Sequence, residues 1–188
     1  PLAGLVAAFI FAVQMVNFPI LPGVSGHLLG GALAAILVGP FTGALCVAIV
    51  LVVQSLLFAD GGVTALGTNI TNMALIGVTA GYTMAVLAYR RARRIRGEVS
   101  VPAVGVVAFV SAVVGTVCAA MGFVVEYALG GASSTSLGAV AAYMSGTHVL
   151  IGIGEGLITA LTVMAVVRAR PDLVYLLRVN PARAAVPA

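Results

Sequence analysis

Long apolar runs dominate the chain, and short breaks rich in glycine, proline or polar residues separate them. Runs at 2–18, 41–59, 69–89, 101–124 and 143–167 each come close to the roughly 20 residues that an α-helix needs to cross a bilayer. The apolar segment 27–39 is shorter, and as a helix it would rise only about 20 Å. It is entered through Pro19, Pro22 and Gly23 and left at Gly39-Pro40. Breakers at both ends predict a short, tilted or partly re-entrant helix lined by protein rather than lipid. The pattern therefore predicts an all-α fold, a polytopic transmembrane helical bundle of about six helices. Residues 1–188 read as a single integral membrane domain.

Composition agrees with the pattern. The 188 residues are 62% hydrophobic and only 7% charged, whereas soluble domains carry roughly a quarter charged residues. A formal charge of +4 raises the question of nucleic acid, but the cations are not spread as a binding face. All nine basic residues are arginine, and five of them lie in RRARRIR, residues 90–96, between two apolar spans. Juxtamembrane clusters of this kind orient spans with the cluster in the cytoplasm, so no nucleic-acid partner is expected. Arg168, Arg170, Arg178 and Arg183 form a second group, two spans later. Both groups, and the C-terminus, then belong on the cytoplasmic side. Counting back, Pro19–His27 and Asp60–Thr68 share the opposite mouth, provided that 27–39 crosses. Cys46 and Cys118 stand alone in apolar runs with no metal or redox spacing and read as inert buried thiols.

Few residues are left to carry chemistry. Within or beside the spans lie Gln14, Asn17, His27, Gln54, Asp60, Asn69, Asn72, Glu126, His148 and Glu155. Ionisable groups in a bilayer cost several kcal/mol unless paired or hydrated, so each invites a role. Gln14 and Gln54 are expected to make interhelical hydrogen bonds. His148 and Glu155 are seven apart and project from nearly one helix face, about 10.5 Å apart along the axis. That is too far to share one ion easily, unlike an i,i+4 metal pair, and a hydrogen-bonding role is expected for each. No nucleophile–base set, phosphate-binding loop or metalloprotease spacing appears, so the chain is not expected to be an enzyme. His27, in NFPILPGVSGHLLGG, reads either as a hydrogen-bonded residue at a helix end or as one ligand of a metal that needs further donors.

Three blocks in order, MVNFPILPGVSGHLLGGALAAILVGPFTG, LFADGGVTALGTNITNMALIG and GTHVLIGIGEGLIT, resemble the CbiM/NikM family. Those proteins are the substrate-binding membrane subunits of energy-coupling-factor importers for cobalt and nickel. The resemblance implies uptake of Co²⁺ or Ni²⁺ across a bacterial cell membrane, as transported substrate, for cobalamin synthesis or nickel enzymes. It implies as partners a transmembrane coupling subunit, cytoplasmic ATPase subunits that hydrolyse the ATP, and often a small accessory membrane protein, all in contact with membrane lipid. It also implies a square-planar nitrogen site whose final imidazole falls on SGHLLGG and so maps to His27. Asn17, Asp60, Asn69 and Asn72 are candidates to line the same mouth behind the ligands. Family members begin with Met-His and a further helix, whereas this chain begins Pro-Leu-Ala-Gly, which leads us to expect a fragment or a late-begun reading. The alternative is a membrane scaffold or interaction subunit without its own metal site.

Overall fold

The structure, a computed structural model, describes residues 1–21, 24–131 and 135–178, the side chains of 17–26 excepted. It is a helical bundle with one small hairpin. The elements in order are α1 (Leu2–Gln14), β1 (Asn17–Leu21), β2 (Val24–His27), α2 (Gly31–Val38), α3 (Pro40–Leu57), α4 (Leu66–Asn69), α5 (Val78–Arg96), α6 (Val101–Gly130), α7 (Leu137–Ala169) and α8 (Tyr175–Arg178). A π-helical stretch, Ile70–Gly77, joins α4 to α5, so that helix runs from Val63 to Arg96 without a break. Among the described residues four helices are long and apolar enough to cross a membrane: Pro40–Leu57, Val63–Arg96, Val101–Gly130 and Leu137–Ala169.

The first apolar run does not stay helical to its end. α1 stops at Gln14, after 13 residues, and the chain then forms an antiparallel hairpin in which Asn17 is paired with His27 and Phe18 with Gly26. Pro19 explains the change. A proline inside a helix lacks the N–H that bonds to the preceding turn, but it is tolerated on a strand with an open edge. The segment 27–39 likewise yields a helix of only eight residues, rising about 12 Å. Seven of those eight, Gly31 to Leu37, are buried. Such a helix cannot face lipid with bare ends, and here it is the centre of the bundle, packed on α3, α5 and α6.

Glycines set how closely the long helices approach. A Cβ on Gly115 of α6 would lie 2.8 Å from the Gly77 carbonyl oxygen, so the α5–α6 crossing has backbone against backbone. On their outer faces the same helices present large apolar groups. Phe41 is 90% exposed and Leu45 60% exposed on α3, while Val47 and Val50 of that helix are buried. Apolar outside and apolar inside is what a bundle surrounded by lipid requires.

Helix directions sort the two ends. α3 ends, and α4 begins, beside the hairpin, and α5 then runs away from that end to Arg96. α7 runs the same way, from Leu137 to Arg168. At that far end Tyr175 of α8 packs against Gly39, where α2 gives way to α3. The RRARRIR group and Arg168, Arg170 and Arg178 therefore lie opposite to His27. Arg183 lies outside the described residues.

Candidate metal site

At the hairpin end a cavity of about 400 Å³ opens between the elements. His27 and Leu29 line it from one side, and Ala59, Gly61, Gly62 and Ala65 from the α3–α4 loop. Asn69, Asn72 and Met73 come from α4 and the π-helical stretch, Ala119, Ala120 and Phe123 from α6, and Met144 and His148 from α7. The wall is mixed, with two imidazoles and two amides among small and apolar groups.

His27 ends β2 and is only part-buried, with its Nδ1 3.0 Å from the Leu28 carbonyl oxygen. The Nδ1–H tautomer satisfies that carbonyl and leaves Nε2 with its lone pair available. Behind the ring the backbone is pinned from two directions. The Glu155 carboxylate accepts the Leu29 N–H at 2.8 Å and the Gly30 N–H at 3.0 Å, together with the Thr116 hydroxyl at 3.0 Å. Gln14 Nε2 donates to the Leu29 carbonyl at 2.6 Å. Gly30 has a φ of 74°, a left-handed conformation that costs glycine little, and Ile10 fills the space where a side chain would go. SGHLLGG is thus a rigid bend between β2 and α2 that carries an imidazole at its start.

The four other residues singled out from the sequence fall in different places. Asn69 and Asn72 line the cavity with His27. The Asn69 amide lies against Gly61, whose φ of 72° and missing side chain admit it. Asn72 donates from Nδ2 to Glu126 at 2.8 Å, while its buried Oδ1 has no hydrogen-bond partner among the described residues. Asp60 is not itself a lining residue; it closes α3 by donating its backbone N–H to the Gln54 carbonyl at 3.2 Å. Asn17 stands opposite His27 in the hairpin register, and its side chain lies outside the described atoms.

Two features of the site escape sequence reasoning. His148 does make a hydrogen bond of the expected kind, its Nδ1 lying 2.9 Å from the Met144 carbonyl oxygen one turn back. It also lines the cavity that His27 lines. Glu155, two turns further along the same buried face of α7, is the residue that fixes the bend behind His27. No side-chain cluster of three or more His, Cys, Asp or Glu able to hold a metal occurs among the described residues. The lining of the cavity does include two imidazoles, from His27 and His148, two amides, from Asn69 and Asn72, and two thioethers, from Met73 and Met144.

Residues 1–173 match the CbiM family model, described as a cobalt uptake substrate-specific transmembrane region. A putative fused nickel transport protein of Archaeoglobus fulgidus is 42% identical over 173 residues, covering 92% of this chain and 55% of that protein. The chain thus spans about half the length of that relative. A cobalt transport protein of Pelobacter propionicus is 35% identical over 173 residues, covering 89% of this chain and 72% of the relative. The crystal structure of a transition metal transporter superposes with a TM-score of 0.72 at 26% identity, covering 98% of this chain and 82% of that one.

Proposed function

We propose, because this chain belongs to the CbiM family, that it is the metal-recognition membrane subunit of an importer for Co²⁺ or Ni²⁺. The observation that carries the reading is His27. Its ring is presented to a cavity at one end of the bundle by a bend that Glu155 and Gln14 hold still. Imidazole nitrogen suits cobalt and nickel, and a fixed ring loses little freedom when it binds. The cavity end faces away from the cytoplasm, and the arginine-rich end faces into it, where positive charge is favoured. ATP is hydrolysed by separate cytoplasmic subunits, which act through a transmembrane coupling subunit on the arginine-rich side.

The test is Co²⁺ and Ni²⁺ binding to the full-length protein in detergent, with His27→Ala alongside. Binding that His27→Ala abolishes supports the reading. Failure of the wild-type protein to retain either ion overturns it in favour of a membrane scaffold without a metal site.

A further inference from the structure

We infer that Arg90, Arg91 and Arg94 form a headgroup site for an anionic phospholipid, binding its phosphate while its acyl chains lie along the outer face of α5. The inference does not depend on the metal. It adds a lipid ligand at the end of the bundle opposite the cavity.

The face of α5 that carries these three residues is the one turned outward. At about 100° per residue, Arg90, Arg91 and Arg94 all project within about 60° of Leu87, whereas Arg96 falls on the opposite side of the helix. Leu87 is 58% exposed, while Val78, Gly81 and Ala85, on the side of Arg96, are buried in the bundle. Arg90, Arg91 and Arg94 are themselves exposed, and Arg93 is half-buried. Residues three and four apart are neighbours on a helix, so the three guanidinium groups form one cluster. The helix dipole favours cations in the last turn, which holds Arg93, Arg94 and Arg96. It does not explain Arg90 and Arg91, which stand before that turn.

The protein supplies no anion for the cluster. Among the described residues the one ion pair joins Arg170 to Asp172, at 2.8 Å. Glu98 follows Gly97, whose φ of 74° turns the chain out of the helix, and it pairs with none of the three. Like charges this close on one helix face repel unless a counter-charge lies between them.

The surroundings fit a lipid rather than a free anion. The helix from Val63 to Arg96 has 34 residues and so rises about 51 Å, more than the roughly 40–45 Å of a bilayer with its headgroups. Its arginine end therefore reaches the headgroup level. Tyr89, half-buried, comes just before Arg90, and tyrosine is enriched at that level. Val106 of α6, 64% exposed, lies at nearly the depth of Leu87, because the two helices meet where Gly81 approaches the Ser111 carbonyl oxygen. Leu87 and Val106 thus offer apolar surface to acyl chains at the level just inside the cations. The planar fork of arginine matches paired phosphate oxygens, and three such forks favour a headgroup whose negative charge no amine offsets.

The test is native mass spectrometry of the full-length protein in detergent, titrated with phosphatidylglycerol or with phosphatidylcholine of identical chains. The wild type should retain phosphatidylglycerol on the order of 100-fold more tightly, since each arginine near an anionic surface contributes about five-fold. Arg91→Gln/Arg94→Gln should lower that preference about 25-fold, and Arg93→Gln/Arg96→Gln, with the same change of charge, should keep it. Equal losses in the two pairs would show attraction to net charge without a site and overturn the inference. Displacement of the lipid by glycerol 3-phosphate at equal concentration would overturn it too, since that anion has no chains. A wild type that holds the two lipids equally needs no variant to reject the site. If Arg91→Gln/Arg94→Gln then also failed to co-purify with the coupling subunit, this face of α5 would belong to a protein partner instead.

Discussion

Glu155→Gln is the most informative single change, because it preserves shape while removing one acceptor. Three donors converge on the two carboxylate oxygens: the Leu29 N–H and Thr116 hydroxyl on Oε2, and the Gly30 N–H on Oε1. A glutamine amide supplies one oxygen. If its NH₂ takes the Oε2 position, the Thr116 hydroxyl can turn and accept, but the Leu29 N–H faces a donor. If it takes the Oε1 position, the Gly30 N–H does. Either way one buried backbone N–H is orphaned, at a cost of about 1–3 kcal/mol. That cost falls on the bend behind His27, so it lowers the fraction of molecules with the ring in place and weakens apparent affinity by the same fraction. With 1.4 kcal/mol per decade, the expected loss of Co²⁺ or Ni²⁺ affinity is about 5- to 150-fold. The ligand-field spectrum of bound Co²⁺ should not change, since no ligand is lost. Thr116→Val removes one donor and leaves both backbone bonds, so its effect should be the smaller. Isothermal titration in detergent, paired with the Co²⁺ spectrum, measures both quantities. Wild-type affinity in Glu155→Gln would refute the positioning argument, and so would an altered spectrum.

Two further changes test the bend and the opposite end. Gly30→Ala places a methyl group 2.9 Å from Ile10 Cγ1 in a backbone with φ of 74°, so it should lower the unfolding midpoint and weaken metal binding together. A variant that keeps both at wild-type values would show that the bend relaxes at no cost. Leu176 of α8 is fully buried, and Leu176→Ala should destabilise by about 2–5 kcal/mol through the lost side chain and the void left behind. Metal affinity of the folded fraction should stay at the wild-type level, because α8 packs at the end opposite the cavity; a matching loss of affinity would contradict that separation.

The spans were legible because a bilayer demands length and apolarity in one continuous stretch, and 41–59, 69–89, 101–124 and 143–167 all have both. Each falls on one of the four long helices, 41–59 running two residues past the end of its own at Leu57. The end of α1 was harder to see. MVNFPIL is as apolar as the helix before it, and only Pro19 and Pro22 mark the change of backbone. The π-helical register of Ile70–Gly77 left no trace, since eight residues are too few for their apolar spacing to separate it from an ordinary helix. His27 and the two asparagines could be named from the motifs around them. His148 and Glu155 could be placed on one helix face, but not against their partners. Glu155 bonds to backbone N–H groups 126 and 125 residues away, and backbone groups are alike at every position in a sequence.

That arrangement also accounts for a carboxylate in the middle of an apolar helix. Glu155 is 3% exposed, and burying a charged group is costly unless hydrogen bonds replace its water. The first backbone N–H groups of any helix lack partners within it, and a buried helix cannot borrow them from solvent. α2 starts at Gly31, inside the protein, with no side-chain cap of its own. The two needs meet at Gly30, the residue that caps α2, and at Leu29 before it. Glu155 finds its donors at the entrance to α2, and the entrance to α2 finds its acceptor in α7. A side chain of α2 itself could have supplied an acceptor locally. A carboxylate on a different helix does something more, because it makes the position of the His27 bend depend on the position of α7. A shift of α7 would therefore shift the bend that carries the ring proposed to meet the metal. Restraining α7 against α6 with an engineered crosslink at that far end should therefore change metal release rates measured at the cavity. The same crosslink in Glu155→Gln should change them less, and an equal change in both backgrounds would show that the bend and α7 move independently.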